Sequence, residues 1–289
     1  MRRRTLAILT ALAASGLLAA GIAPATAADD PPDGAAYVAL GDSIAAGTGN
    51  LPYVDTDCMQ SRKAYPQLFA RAFGIDVASS ACSGATTADV LTEQLSHLGS
   101  DTQLVTITAG INNLGWTTLL QECAQDESSL ACQAATGGAF AALAALPDDI
   151  GLMVATVRQH APNAHIAVTG YPMLFGQVAT PCSIGAFERT PVKVTAAQAQ
   201  FINVAVMQVN GAIAAGLAGY ALEYSQMTGI DANVSFVPLT GTFAGHGLCD
   251  TGDRWISGFV NGAPVAARSL HPNSAGQRAI AELLVEALG

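Results

Sequence analysis

Ser43, in Ala-Leu-Gly-Asp-Ser (39–43), and His271, in Ser-Leu-His-Pro-Asn (269–273), are a candidate nucleophile and a candidate base lying far apart in the chain. A serine hydroxyl attacks well only when a base takes its proton, and imidazole is the side chain suited to that near neutral pH. Acyl transfer also needs donors aimed at the oxygen that becomes negative. Three are on offer: the backbone N–H of Ser43, that of Gly84, where no side chain intervenes, and the amide of Asn112. These positions make a site only if a fold gathers them.

The elements that would do so alternate along the chain. Residues 35–40 read as a short buried strand, stopped by Gly41, with a helix opening after Ser43. Further strands are expected at 75–78, 103–108, 165–170 and 234–237. Helices are expected at 64–72, 86–97, 137–160, 195–219 and 274–288, the last opened by a capping box, Ser274-Ala275-Gly276-Gln277. Strands alternating with helices predict an α/β fold of three α/β/α layers around a five-stranded parallel sheet. Ligands bind such sheets at the carboxyl ends of the strands. Ser43, Gly84 and Asn112 each follow one of the first three strands, so they converge at that edge. The Gly-rich stretch 240–270 has no regular period and reads as a long loop entering the site.

Composition narrows the setting. Arg2-Arg3-Arg4, the apolar run Leu6 to Ile22 and Ala25-Thr26-Ala27 have the form of a signal peptide over residues 1–27, leaving one domain at 28–289. The expected product is secreted, extracellular and monomeric. No later stretch has about twenty uninterrupted apolar residues, so stable membrane insertion is not expected. Taking Arg2, Arg3 and Arg4 from 12 basic residues leaves nine against 22 acidic ones, a formal charge of −13. That balance excludes a nucleic-acid partner and strong attraction to anionic lipid. Six cysteines (Cys58, Cys82, Cys123, Cys132, Cys182 and Cys249) in an oxidising compartment predict three disulfides, whose pairing the sequence leaves open. Their spacing does not match a zinc site, and neither metal nor organic cofactor is expected.

At these residues the chain resembles the SGNH hydrolases, also called GDSL esterases and lipases. Gly41-Asp42-Ser43 matches the first block of that family and Gly84 the second. Gly110-Ile111-Asn112-Asn113 matches the third, and His271-Pro272-Asn273 the last. The likeness extends to a secreted bacterial branch with three disulfides, through Phe243, Gly245-His246 and Cys249. It implies a flavodoxin-like fold and hydrolysis of small-molecule or lipid esters by Ser43 and His271. The oxyanion would rest on Ser43, Gly84 and Asn112. It also implies the pairs Cys58–Cys82, Cys123–Cys132 and Cys182–Cys249. A phospholipase or carbohydrate acetylesterase using the same residues, or an inactive binding module, are the alternatives.

The chain departs from the family pattern twice. The family usually has Asp three residues before the histidine, where this chain has Arg268, and a guanidinium has no acceptor for an imidazole N–H. The expectation is therefore a dyad whose imidazole is oriented by the backbone carbonyl of Arg268. Asn113 replaces the usual Asp of the third block and is read as shaping the loop. Asp42 is read as bonding loop N–H groups. His246 is read as structural beside Cys249, and Trp116 and Trp255 as packing residues or walls of an acyl pocket.

Overall fold

A computed structural model describes residues 34–123, 128–187, 189–260 and 266–289. The expected signal peptide lies outside the described residues. In chain order the strands are β1 (Tyr37–Gly41), β2 (Tyr53–Asp55), β3 (Gln60–Ser61), β4 (Ala78–Ser79), β5 (Leu104–Thr108), β6 (His165–Thr169), β7 (Cys182–Phe187), β8 (Thr190–Val194) and β9 (Val234–Val237). The helices are α1 (Ser43–Ala46), α2 (Tyr65–Phe73), α3 (Thr87–Glu93), α4 (Trp116–Cys123), α5 (Leu130–His160), α6 (Ala196–Thr228) and α7 (Ser274–Leu288). Asp33–Gly289 form one compact unit.

Five strands make one parallel sheet in the order β4-β1-β5-β6-β9. Counted within the sheet this is 2-1-3-4-5, the flavodoxin-like order. Its central strands are apolar on both faces because helices cover both: Tyr37 to Leu40, Val105, Ile107 and Ile166 to Val168 are all buried. The crossovers through α5 and α6 step in one direction across the sheet and the one through α2 steps back. α5 and α6 accordingly pack together on one face, and α2 pairs with α7 on the other.

Several expected boundaries move. The second strand is Ala78–Ser79 rather than 75–78, because Ile75 is exposed and only Ala78 and Ser79 pair with β1. The helix expected at 86–97 ends at Glu93 and resumes as a 3₁₀ turn at Leu95–His97. α5 and α6 run well past their expected limits, and both are long and apolar enough by length and composition to cross a bilayer. Here they pack on the sheet, contributing Ile150, Met153 and Val154 from α5 and Val206, Ile213 and Leu217 from α6 to the core. Asn273, not Ser274, caps α7: its side chain accepts from the N–H groups of Ala275 and Gly276. Gln277 instead turns inward, accepting from the Tyr65 N–H and donating to the Ile44 carbonyl. The antiparallel ribbons β2–β3 and β7–β8 carry no pattern strong enough to be read from sequence.

Two disulfides are described, Cys58–Cys82 and Cys182–Cys249, with Cα atoms 4.2 and 5.9 Å apart. The expected Cys123–Cys132 pair involves Cys123, whose side chain lies outside the described residues; Cys132 is itself disulfide-bonded.

Candidate active site

β1 ends at Gly41, which adopts φ +119°, and a Cβ there would meet the Thr108 carbonyl oxygen at 2.0 Å. Only glycine lets the strand turn this close to β5. Gln94 holds the turn from both sides, accepting from the Gly41 N–H (2.7 Å) and donating to the Gly41 carbonyl (2.9 Å). Asp42 then caps α1, its Oδ1 accepting from the Ile44 N–H at 2.9 Å. Ser43 is thus the first helical residue at the carboxyl edge of the sheet. Its own N–H belongs to the helix's first turn, where no intrahelical acceptor exists.

His271 reaches this edge from the other end of the chain. Its Nε2 lies 2.8 Å from Ser43 Oγ, and its Nδ1 lies 2.9 Å from the carbonyl oxygen of Ser269. The expected orienting role of Arg268 is therefore corrected. The Arg268 carbonyl accepts from the backbone N–H of His271, at 3.0 Å, and the ring turns to Ser269. Leu270 explains the difference. It takes φ +62°, a left-handed conformation that costs a non-glycine residue about 1–2 kcal/mol. This reverses the chain just before the histidine and brings the Ser269 carbonyl under the imidazole. Ser257 locks the reversal, accepting from the Leu270 N–H and donating to the His271 carbonyl, both at 2.9 Å.

A carbonyl oxygen only accepts, so Nδ1 carries the imidazole proton. Nε2 is then a bare lone pair facing the Ser43 hydroxyl. Burial lowers the pKa of His271 below 6.5, partly offset by the carbonyls of Ser269 and Ala267. The free base thus persists into mildly acidic solution.

The remaining donors sit on two neighbouring loops. Cys82 donates to the Gly41 carbonyl and Ser83 to that of Cys58, so the Cys58–Cys82 disulfide and two backbone bonds pin the loop bearing Gly84 against β1. Gly84 has φ +87° and open space where a Cβ would be, so conformation rather than crowding calls for glycine. Its N–H is paired with no acceptor among the described residues. Asn112 stands in a 3₁₀ turn after β5, and its amide nitrogen donates to the Ala85 carbonyl at 3.0 Å. That ties the two loops together and leaves the second amide hydrogen uncommitted. Asn113 holds the same loops, accepting from the Thr87 N–H and donating to Thr87 Oγ1 and Asp149 Oδ2.

Other positioning residues escaped sequence reading. Tyr171 donates to Asp42 Oδ2 at 2.6 Å, while its oxygen accepts from the Ile111 N–H at 3.1 Å. One phenol thereby links the Ser43 turn to the Asn112 turn. Asp42 is fully buried, and desolvation pushes its carboxyl up to about 7 despite the Tyr171 bond. Asn50 donates to the Pro272 carbonyl at 3.0 Å and accepts from Ser274 Oγ, fixing the histidine loop to the nucleophile loop. No local pattern marks these residues, because their partners are distant in sequence. His246 stacks on Trp255 with ring centroids 3.7 Å apart, and Trp255 in turn meets Phe243 edge-on. Trp116, at the start of α4, is half-buried. Among the described residues, no three His, Cys, Asp or Glu side chains form a group able to hold a metal.

A serine facing an imidazole at the carboxyl edge of a doubly wound sheet is the arrangement of an acyl-transferring hydrolase. The sequence pattern of the GDSL-like lipase/acylhydrolase family matches residues 39–279. Lipase 1 of Streptomyces coelicolor is 36% identical over 283 residues, 96% of each chain. Among solved structures, the extracellular lipase of Streptomyces rimosus superposes with a TM-score of 0.70 at 31% identity, covering 87% of this chain and 98% of that one. The phospholipase A1 of Streptomyces albidoflavus gives 0.71 at 31%, covering 88% and 99%. The chain belongs to the GDSL-like lipase/acylhydrolase family. It is an ester hydrolase of the esterase and lipase type.

Proposed function

We propose that Ser43 and His271 form the catalytic dyad of an exported, monomeric lipase. The 2.8 Å contact between His271 Nε2 and Ser43 Oγ carries this reading, because the Ser269 carbonyl leaves Nε2 unprotonated. As Ser43 Oγ attacks the ester carbonyl, Nε2 takes its proton. The oxygen that becomes negative is met by the N–H groups of Ser43 and Gly84 and the free amide hydrogen of Asn112. The imidazolium gives its proton to the leaving alcohol. Water, activated by the same nitrogen, then releases the acid from Ser43. The Ser269 carbonyl dipole steadies the imidazolium, as a carboxylate does in a triad. Arg2-Arg3-Arg4 with the following apolar run, and the extracellular lipase of S. rimosus, support export.

Lipid esters are the substrate class best supported, by the lipases of S. coelicolor and S. rimosus. Phospholipid deacylation is a second reading, favoured by the likeness to the S. albidoflavus phospholipase A1. Two measurements test the proposal. A fluorophosphonate should label wild type at Ser43, and Ser43→Ala should lose roughly four to six orders of magnitude in kcat on nitrophenyl esters. Labelling elsewhere, or substantial turnover by Ser43→Ala, refutes the dyad. Emulsified triacylglycerol, phosphatidylcholine and acetylated glycan assayed side by side decide the substrate.

A further inference from the structure

The two long helices carry an apolar surface that the catalytic reading does not use. α5 and α6 both cross between parallel strands, so they run parallel to each other and antiparallel to the sheet. Their N-terminal halves therefore lie at the carboxyl edge, where Ser43 stands. Leu146 of α5 and Ile213 of α6 both pack against Gly110, just past the end of β5. Asn210 and Asn203 of α6 bond the backbone of Tyr171 and Phe175, just past the end of β6. The stretches N-terminal of Leu146 and Asn210 extend past the strand ends, α6 keeping one side buried there through Ala199, Val206 and Val209. At 1.5 Å per residue each overhang is about 20–25 Å long.

These overhangs have no charged side chain: none occurs from Leu130 to Pro147 or from Ala196 to Leu222. Asp148 and Asp149 close the stretch on α5, and Glu223 closes it on α6. Large apolar side chains stand in solvent there: Leu130 is 84% exposed, Phe140 60% and Phe201 70%, with Val204 and Met207 also exposed. A groove of about 540 Å³, also lined by Val204 and Met207, opens beside them. Uncovered apolar area of this kind marks a binding surface.

We infer that the projecting ends of α5 and α6 seat the enzyme on an uncharged lipid surface. Charge selects that occupant. The chain is acidic, with a formal charge of −10, so anionic lipid repels it, whereas a charge-free face meets zwitterionic or neutral lipid without leaving an ion unpaired. Position also selects it: lipid resting on this face lies beside the edge that holds Ser43. The inference rests on the lipase reading for its purpose, but its binding test does not.

The test measures co-sedimentation with large phosphatidylcholine vesicles, in a Ser43→Ala background so that the vesicles stay intact. Adding Phe201→Glu and Met207→Glu together is expected to weaken partition at least about tenfold, since burying each side chain is worth upward of 1.4 kcal/mol, the equivalent of a factor of ten. Leu222→Glu with Met227→Glu, equally exposed but at the far end of α6, is expected to leave partition unchanged. In the Ser43 background, the Phe201/Met207 pair is expected to keep wild-type kcat/KM on a soluble short-chain nitrophenyl ester and an unchanged thermal midpoint. Absence of vesicle binding overturns the inference, as does equal loss in the far-end pair. So does a concentration-dependent dimer that the Phe201/Met207 pair dissociates. Failure of wild type to cleave the soluble ester would instead strike the lipase reading and leave the binding result standing.

Discussion

Replacing Asn112 by alanine isolates the one proposed oxyanion donor that comes from a side chain. Its amide nitrogen carries two hydrogens, and the Ala85 carbonyl takes one at 3.0 Å. The other is uncommitted and is the one proposed to meet the oxyanion, so the substitution has two separable effects. Losing an oxyanion donor costs about 10²–10³ in kcat, or 2.7–4 kcal/mol. The ground-state carbonyl is only weakly polar, so KM is expected to change little. Losing the Ala85 bond costs about 0.5–1.5 kcal/mol of folding stability, because a part-buried carbonyl loses its partner. Saturation kinetics on a soluble nitrophenyl ester give kcat and KM, and urea unfolding gives stability. Asn112→Asp is the sharper companion: a carboxylate supplies no donor and sets negative charge beside the developing oxyanion, so it should fall below alanine. A kcat for Asn112→Ala within about threefold of wild type, less than 1 kcal/mol of barrier, would refute the assignment.

Arg268→Ala is expected to retain kcat/KM within about threefold, under roughly 0.7 kcal/mol, because Ser269 supplies the carbonyl that orients the imidazole; a collapse to the level of His271→Ala would show that the guanidinium takes part. Burial lowers the His271 pKa, so the base loses activity only when protonated at acid pH, and the acid limb of kcat/KM is expected below 6.5. A limb at or above that value contradicts the buried, carboxylate-free dyad. Asp42 has a folded-state pKa raised from 3.8 to about 7 by burial, so its contribution to stability is complete below 3.8 and is lost as pH rises through 7. Asp42→Asn keeps an acceptor for the Ile44 N–H without the charge. Its stability relative to wild type is expected to rise by about 2–3 kcal/mol between pH 5 and pH 8. A urea-unfolding difference that stays flat over that range refutes the raised pKa.

What could be read along the chain was whatever repeats locally or occupies a marked turn. The apolar run at 35–40, the β-branched stretch at 103–108 and the helical periods announced an alternating α/β fold, because burial on both faces leaves that signature in composition. Ser43, Gly84, Asn112 and His271 stood out because each follows a strand or precedes a helix, where small and polar residues break the apolar pattern. The carbonyl under His271 was misplaced by one residue. Nothing in Arg-Ser-Leu-His betrays that Leu270 enters the left-handed region; Ser257 holds it there, from a loop that meets it only in the folded chain. Tyr171, Gln94 and Asn50 were invisible for the same reason: each acts on a backbone or carboxyl group distant in sequence. Composition also could not tell which apolar side chains of α5 and α6 face the core, as Met153 and Ile213 do, and which stand in solvent, as Phe140 and Phe201 do. Burial is a property of which surfaces meet, and the topology of the crossovers decides that.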